Sequence, residues 1–403
     1  MDTVQVSTSS DPALRHARTR VPLSEPLLQG NEAAYLKECL DSGWVSSAGP
    51  FVERFEQEIA AYVGVSEAVA VINGTAGLHI ALRVVGVEPD DEVLVSNLTF
   101  IAPANAIRYC QAHPVLIDAN PQTWQIDVEK VAWFLEHECV RRRTATYNRR
   151  TGRRVRAIIP VHILGLSCEM DQLVALAREY HLHVVEDAAE AMGVRYHGQH
   201  AGTFGDIGVL SFNGNKIMTA GGGGMLMTNR KAYAASARYL TTQAKDDPLE
   251  YIHKAIGYNY RLSNTQAALG VAQLEQLDGF IAKKRAIAQA YAEGLGKDER
   301  LTLMPTPPQT DATYWLYTVL LEKGTTIATR QGIIRQLRAA GIEARPLWHP
   351  LHGLPPYQKC QRVAIEHSPK LYARAVSLPS SVGLDEETIA HCIAIVRRII
   401  GRR

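Results

Sequence analysis

The chain has 403 residues, of which 46% are hydrophobic and 21% are charged, and its formal net charge is +2. This composition is typical of a soluble globular protein with a large core, and the near-neutral charge argues against nucleic acid or a membrane as partner. No run of about 18 apolar residues predicts a membrane span, and the six cysteines form no C-x-x-C pair for a metal or disulfide framework. We therefore expect a cytoplasmic protein with reduced thiols and no metal.

Residues 1–20 are polar and lack the apolar segment of a secretory signal, so we expect a disordered arm there. From about Phe51 to Thr228, amphipathic helix patterns alternate with short apolar runs such as Val93-Leu-Val-Ser and His183-Val-Val-Glu-Asp. Alternation of this kind predicts an α/β fold with a large, mostly parallel sheet and helices on both faces.

A long amphipathic helix is predicted over residues 264–295, and a proline-rich connector follows at residues 302–308. Beyond it the pattern predicts a strand over 314–321 and helices over 327–340 and 386–400. We therefore expect a large domain over residues 21–265, and a connecting helix with a smaller C-terminal α/β domain over residues 266–403.

The turn after the first apolar strand is a candidate phosphate site. The strand Val69-Ala-Val-Ile runs into Asn73-Gly74-Thr75-Ala76, and an apolar helix follows directly. Free amides and a threonine hydroxyl at a helix N-terminus favour an anion. The turn lacks the spacing of G-x-G-x-x-G and the lysine of a P-loop, so the motif argues against a dinucleotide or a nucleoside triphosphate.

Two charged residues stand at the ends of apolar strands. Asp187 closes the strand that begins at His183, where open α/β sheets bind ligands, although an ordinary helix N-cap also explains it. Lys216 follows the run Ile207-Gly-Val-Leu-Ser211-Phe and precedes four glycines, so it is either a tolerated lysine or a working amine. A buried amine loses proton affinity and becomes a nucleophile that can form a Schiff base. With the phosphate turn, this set matches the needs of pyridoxal phosphate (PLP).

The segment from Arg141 to Arg156 contains eight arginines and no acidic residue. Charge runs usually lie on the surface, which favours a solvated hairpin with a turn near residues 148–152. Arginine also binds phosphate in a bidentate fork, so a contact with a substrate diphosphate stays open. Nucleic-acid binding is disfavoured because no aromatic platform accompanies the arginines.

These features together resemble the DegT/DnrJ/EryC1/StrS family of sugar-nucleotide aminotransferases, and the likeness runs from about Val21 to the C-terminus. The matching motifs, in chain order, are Trp44-Val-Ser-Ser-Ala-Gly-Pro50, Asn73-Gly-Thr-Ala76, Thr99-Phe100-Ile-Ala-Pro-Ala-Asn105, Pro160-Val-His162-Ile-Leu-Gly165, Glu186-Asp187-Ala-Ala-Glu190, Ser211 to Lys216, Gly257-Tyr-Asn259-Tyr-Arg261 and Pro350-Leu-His352.

The resemblance implies a fold type I, PLP-dependent aminotransferase in which Lys216 is the Schiff-base lysine and Asp187 keeps the pyridinium nitrogen protonated. Phe100 is expected to stack on the ring, although it also reads as a core residue. Glu190 stands where many relatives carry Gln or His. The residues expected around the cofactor are Gly74, Thr75, Ala76, Phe100, Asp187, Glu190, Ser211, Lys216 and Asn259.

Asn259 is expected to reach the cofactor phosphate of the second subunit, which implies a homodimer with shared active sites. The residues expected near the substrate are His162, Arg345, Trp348 and His352. A structural role for His162 is an open alternative, because the residue follows a buried strand.

The resemblance implies transfer of an amino group from L-glutamate to a nucleotide-linked keto sugar, for polysaccharide or nonulosonic-acid synthesis. Within the family, residues 213–216, 242–248 and 377–381 look most like the branch that aminates C4 of a UDP-linked 4-keto-6-deoxy-N-acetylhexosamine on the way to legionaminic-acid-type sugars. A GDP-perosamine-type synthase, a C3 aminotransferase and a non-enzymatic regulator are the alternatives. A dehydratase of the same fold is disfavoured, because such relatives carry histidine in place of Lys216.

Overall fold

The computed structural model describes residues 20–247 and 249–401. The disordered arm expected at residues 1–20 lies outside the described residues, except for Arg20, which pairs with the carboxylate of Glu343. Across the described ranges, every helix is too short or too polar to span a lipid bilayer.

The described residues form 18 strands, most of them short and buried. They are β1 Glu67–Val71, β2 Glu92–Ser96, β3 His113–Ile117, β4 Cys139–Arg142, β5 Ala145–Asn148, β6 Arg154–Ile159, β7 His183–Asp187, β8 Arg195–Tyr196, β9 Gln199–His200, β10 Ile207–Ser211, β11 Gly224–Thr228, β12 Lys245–Asp247, β13 Ile252–His253, β14 Leu301–Thr302, β15 Thr310–Asp311, β16 Thr318–Leu321, β17 Gln361–Val363 and β18 Ala375–Ser377.

A ten-stranded sheet forms the centre of the described structure, with the order β1-β11-β10-β7-β6-β2-β3-β17 and with β4 and β5 added beside β6. Along this path the strands are parallel apart from β11, which confirms the predicted α/β fold with a mostly parallel sheet. Nearly every residue of strands such as β2 and β7 is buried, because helices cover both faces of the sheet.

Twelve α-helices in the described residues cover the sheet and build the C-terminal part. They are α1 Glu32–Ser42, α2 Pro50–Val63, α3 Gly74–Val84, α4 Ala102–Tyr109, α5 Val128–Trp133, α6 Met170–Glu179, α7 Lys231–Thr241, α8 Asn264–Leu274, α9 Leu277–Leu295, α10 Ile327–Ala339, α11 His367–Arg374 and α12 Glu386–Gly401.

The helix predicted over residues 264–295 is two helices, α8 and α9, that break at Glu275 and Gln276. The break contains no proline or glycine. Its side chains are instead held by the N-terminal part of the chain: Arg54 pairs with Glu275 at 3.0 Å, and the Gln276 amide donates to Glu32 at 3.0 Å. The helix therefore breaks where residues distant in sequence contact it, although the amphipathic pattern of the sequence continues through this point.

The C-terminal part contributes strands to three sheets, one of which joins β15 to β8 and β9. β14, β16 and β18 form a small sheet of their own, whereas β17 pairs in parallel with β3 at the edge of the large sheet. The predicted strand over 314–321 is shorter than expected and begins at Thr318. The division of the chain near residue 265 stays a prediction, because the main hydrophobic core runs continuously through both parts.

The arginine-rich segment forms surface strands at the amino-terminal edge of the parallel sheet, where β4, β5 and the start of β6 pair with one another. Its arginines meet nearby carboxylates: Arg141 pairs with Glu179 at 3.2 Å, and Arg156 pairs with Asp91 at 3.1 Å. The main cleft lies at the opposite, carboxyl edge of the strands. No arginine of the segment lines the cleft of its own chain, which favours a solvated surface, and the diphosphate contact stays a prediction.

Candidate active site

A cleft of about 270 Å³ opens where β1, β7 and β10 end. This is the carboxyl edge of the sheet, at which open α/β folds bind ligands. The residues that line it are Asn73, Gly74, Thr75, Leu78, Thr99, Phe100, Ala102, Val161, Asp187, Ala189, Glu190, Ser211, Asn213, Asn215, Lys216, Gly222, Gly223, Trp315, Arg345 and Trp348. Among the described residues, no group of His, Cys, Asp or Glu side chains is arranged to hold a metal ion.

The N-terminus of α3 forms one end of the cleft. Asn73 is the N-cap, and its side-chain oxygen accepts the Ala76 amide at 2.8 Å. The amides of Gly74 and Thr75 lie in the first helical turn and have no acceptor within the helix, so they can bind an anion. Ala76 is buried and does not line the cleft, so two of the three predicted amides are available and the third is occupied by the cap.

Tight packing holds α3 close to the sheet at this point. A Cβ atom on Gly77 would lie 2.7 Å from Val209 Cγ1 in β10, and a Cβ on Gly74 would lie 3.1 Å from the Ser211 Cβ. The first turn of α3 therefore adjoins the Ser211 hydroxyl, as expected. Together they bring backbone amides and a hydroxyl to this end of the cleft.

Asp187 lies on the cleft wall with only 4% of its surface exposed. One carboxylate oxygen accepts the Ala189 amide at 3.1 Å, and the other has no hydrogen-bond partner among the described residues. Burial raises the pKa of this carboxyl to about 6, although the Ala189 amide opposes the shift. A buried carboxylate that lacks a partner and faces a cleft is well suited to a cationic group of a ligand.

Lys216 lies on the turn after β10, with 13% of its side chain exposed. Its amide donates to the Asn213 carbonyl, and the neighbouring Asn215 carbonyl accepts the indole N–H of Trp315 at 2.6 Å. The Nζ atom lies 3.5 Å from Glu190 Oε1 and 4.0 Å from the centroid of the Trp315 ring. The structure thus brings the predicted lysine into the same cleft as Asp187.

Glu190 is the second carboxylate of the cleft. Its Oε2 accepts the Leu164 amide at 2.8 Å, and its other oxygen faces Lys216. Burial raises the pKa of Glu190, and the Lys216 ammonium, the Leu164 amide and the Arg345 guanidinium act in the opposite direction. Glu190 therefore serves as counter-charge to the lysine in this structure.

Phe100 is 54% exposed and lines the cleft, so it is available for stacking and the core alternative is wrong. Arg345 and Trp348 also line the cleft, as predicted. Trp315 was not predicted there. It lies some hundred residues from Lys216 in the sequence, inside a segment that looks like an ordinary strand, and no local signal could have identified it.

His162 does not reach the cleft, which corrects the prediction that it contacts the substrate. Its side chain is completely buried. Its Nδ1 accepts the Cys168 amide at 3.1 Å, and because a backbone amide only donates, the ring proton is on Nε2, which donates to Glu186 at 3.0 Å. Glu186 also accepts backbone amides of residues 202, 204 and 205. This network is structural and stabilises the loops behind Asp187.

His352 is also absent from the cleft lining. Its backbone amide and ring both contact the side chain of Asn97, at 3.0 and 3.1 Å, so it anchors the loop after residue 350 to the end of β2.

Asn259 is exposed, and it does not line the cleft of its own chain. The prediction that Asn259 contacts the cofactor of a second subunit stays a prediction.

The cleft fits PLP on three counts. The first turn of α3 and Ser211 have donors that can bind the phosphate. The Asp187 carboxylate oxygen without a partner can neutralise a protonated ring nitrogen. Lys216 has the amine that can form the Schiff base. These are the groups that a PLP site requires.

Comparison with known proteins agrees with this geometry. Residues 26–397 match the model of the DegT/DnrJ/EryC1/StrS aminotransferase family. A GDP-perosamine synthase from Caulobacter vibrioides is 39% identical over 385 residues, which is 94% of this chain and 98% of the relative.

A Bacillus subtilis protein named as the putative pyridoxal phosphate-dependent aminotransferase EpsN is 38% identical, over 94% of this chain and 95% of the relative. The crystal structure of DesI, solved in the presence of its TDP-sugar product, superposes with a TM-score of 0.84 at 29% identity, over 95% of this chain and 94% of that one. The chain belongs to the DegT/DnrJ/EryC1/StrS aminotransferase family and is a PLP-dependent aminotransferase.

Proposed function

We propose that this aminotransferase moves the amino group of L-glutamate to a keto sugar linked to a nucleoside diphosphate. The observation that carries the proposal is the cleft itself, in which Lys216, Asp187 and the first turn of α3 surround one space. The relatives support the acceptor class, since one is a GDP-perosamine synthase and another was solved with a TDP-sugar product.

The cofactor contacts follow from the geometry. Gly74, Thr75 and Ser211 would hold the phosphate, Asp187 would provide a counter-charge for the ring nitrogen, and Phe100 would stack on the ring. Bound PLP supplies an electron sink that makes the donor's Cα proton acidic. A buried negative charge at Asp187 keeps the ring nitrogen protonated and so maintains that sink.

Lys216 binds the cofactor and then moves the proton at the donor's Cα. Proton transfer by a side chain is favoured where little water surrounds the base, and the amine is enclosed beside Trp315 with 13% of the Lys216 side chain exposed. Glu190 stabilises the ammonium form between transfers at its distance of 3.5 Å. Arg345 and Trp348 are left on the cleft wall for the substrates.

The acceptor is a 4-keto-6-deoxy sugar in this proposal, and two nucleotides are candidates. The likeness of residues 213–216 and 242–248 favours a UDP-linked N-acetylhexosamine, whose 4-amino product would enter polysaccharide or nonulosonic-acid synthesis. The 39% identity to a GDP-perosamine synthase favours a GDP-linked sugar without the N-acetyl group. Formation of a 3-amino sugar would contradict both candidates and favour a C3 aminotransferase.

A panel of keto sugars tests the proposal. The protein, loaded with PLP, is mixed with L-glutamate and with UDP-, GDP- or dTDP-linked keto sugars, and the amino sugar formed is identified by NMR. We expect a 4-amino sugar from a UDP- or GDP-linked substrate. The matched control is Lys216→Ala, which keeps the phosphate seat and should give no product. Glutamate consumption without any amino sugar across the panel would refute the acceptor class.

We further propose a homodimer with shared active sites. Asn259 is exposed and follows the β12–β13 hairpin, whose apolar side chains are open to solvent: Leu249 is 83% exposed, and Ile256, just beyond β13, is 85% exposed. Exposed apolar side chains this close together are typical of a protein interface. The partner's Asn259 would complete the phosphate site of the opposite subunit.

Mixing two inactive variants tests this sharing. Lys216→Ala and Asn259→Ala proteins are exchanged into mixed dimers, in which one site should be wild type throughout, so activity should return. The matched control mixes Lys216→Ala with Asp187→Asn. Both of these residues line the cleft of one chain, so no intact site forms and no recovery is expected. Equal lack of recovery in both mixtures, with exchange shown by mass spectrometry, would contradict the shared site.

A further inference from the structure

Lys284 is a buried lysine outside the cleft that the proposed chemistry does not use. It lies in α9, and only 1% of its surface is exposed. Among the described residues no carboxylate pairs with its amine, which instead donates to two backbone carbonyls, that of Trp315 at 2.7 Å and that of Ser380. Burial of an amine without a counter-charge costs free energy, so these two contacts are the feature of the residue that requires an explanation.

The backbone around Trp315 is fixed against its local preference. Tyr314, directly before it, has a left-handed backbone with a φ of 49°. This conformation is unfavourable for a bulky side chain and persists only where surrounding contacts impose it. The loop at Gly165 packs against the same segment, since a Cβ atom there would lie 2.5 Å from the Trp315 amide nitrogen. The hydrogen bond from Lys284 holds the other end of the Trp315 peptide unit, at its carbonyl.

The ring of Trp315 lies where the proposed chemistry takes place. Its centroid is 4.0 Å from the Lys216 Nζ atom, and only 2% of the residue is exposed. The indole N–H donates to the Asn215 carbonyl at 2.6 Å, so the ring contacts both the amine and the turn that carries it. A displacement of this ring would therefore change how the amine is enclosed and where it points.

We infer that Lys284 is a positioning residue that holds Trp315 against the Lys216 amine. The inference rests on the proposed role of Lys216 as the reacting amine. Lys284 acts through the main chain, because its hydrogen bond fixes the Trp315 carbonyl and the ring follows the backbone. The second bond, to the Ser380 carbonyl, fixes the lysine itself. The Ser380 hydroxyl also accepts the amide of Tyr317 at 3.0 Å, which joins the same two segments again.

NMR of cofactor-free protein measures the position of the ring. Reductive methylation with ¹³C-formaldehyde labels the lysine amines, and the Lys216 signal is the one that Lys216→Arg lacks. The ring current of the indole shifts this signal, and Trp315→Leu gives its position without the ring. Lys284→Met should move the signal at least halfway toward that position. Lys284→Arg keeps donors for the carbonyls and should stay closer to wild type.

The glutamate half-reaction of cofactor-loaded protein is the second measurement. A displaced ring disturbs proton transfer, whereas the groups that bind the cofactor and L-glutamate are unchanged. Lys284→Met should therefore lower the rate at saturating L-glutamate roughly tenfold. The half-saturating concentration and the PLP affinity should stay within about threefold of wild type.

Tyr291→Phe is the matched control. Tyr291 is buried in the same helix, and its hydroxyl donates to the carbonyl of Pro379, next to Ser380, at 2.9 Å. The variant loses a buried hydrogen bond to the same segment and so loses stability, but it keeps the contact of Lys284 with Trp315. Its Lys216 signal should not move, and its rate should stay within about threefold of wild type.

Three results would overturn the inference: an unmoved Lys216 signal in Lys284→Met, a moved signal without loss of rate, or an equal loss of rate in Tyr291→Phe. If Lys284→Met does not fold, Lys284→Gln replaces it. Its shorter side chain should move the signal in the same direction and lower the rate. Failure of every keto sugar in the panel would refute the acceptor class and leave the NMR and half-reaction results standing.

Discussion

Replacement of Asp187 by asparagine tests the electrostatics of the site most directly. The substitution keeps size and the hydrogen bond from Ala189 but removes the charge. A carboxyl whose pKa rises from 3.8 to about 6 carries its charge in the cleft at a cost of about 3 kcal/mol. A cationic ring nitrogen recovers energy of this order, and an amide cannot. We therefore expect roughly a 100-fold loss in the rate of the glutamate half-reaction.

The assay is stopped-flow absorbance of the cofactor after mixing with L-glutamate, combined with titration of PLP into cofactor-free protein. PLP affinity should fall less than the rate does, because the phosphate seat and the Lys216 amine are unchanged. Asp206→Asn is the matched control: this carboxylate is partly buried, but it pairs with His183 at the other edge of the sheet. A rate within about threefold of wild type in Asp187→Asn would mean that the carboxylate is only a loop cap.

Three further results are expected. Borohydride reduction should attach PLP to the peptide that contains Lys216, and a label found by mass spectrometry on Lys245 or Lys254 would contradict the assignment. Because burial raises the pKa of Asp187 to about 6, PLP affinity measured by fluorescence should rise with pH from about 5 to about 7 and level off above, and Asp187→Asn should lose that part of the rise. Lys284, buried in α9, donates to two carbonyls, so Lys284→Met should lower the free energy of unfolding by about 1–3 kcal/mol. Burial lowers the pKa of Lys284 to about 7, so the unfolded chain binds more protons between pH 7 and 10; stability should rise with pH in that window and the Met variant should lose the rise, as urea melts at pH 7, 8 and 9 will show.

Local pattern alone determined much of this protein. The alternation of apolar strands and amphipathic helices predicted the mostly parallel sheet, and the positions of Asp187 and Lys216 at strand ends predicted that both lie at one edge. The turn after β1 predicted an anion site because capping depends on a few consecutive residues. Each of these features is encoded by neighbours in the chain, so the sequence specifies it without knowledge of the rest.

Tertiary structure decided the remainder. Trp315 reaches the cleft from the C-terminal part of the chain, and nothing in its own segment predicts its contact with Lys216. His162 matches a family motif but is buried outside the cleft lining, where its ring N–H donates to the buried carboxylate of Glu186. The positions of these side chains depend on which residues distant in sequence come together in the fold. They also depend on the free-energy cost of leaving a buried polar atom without a hydrogen bond. A local sequence pattern carries information on neither.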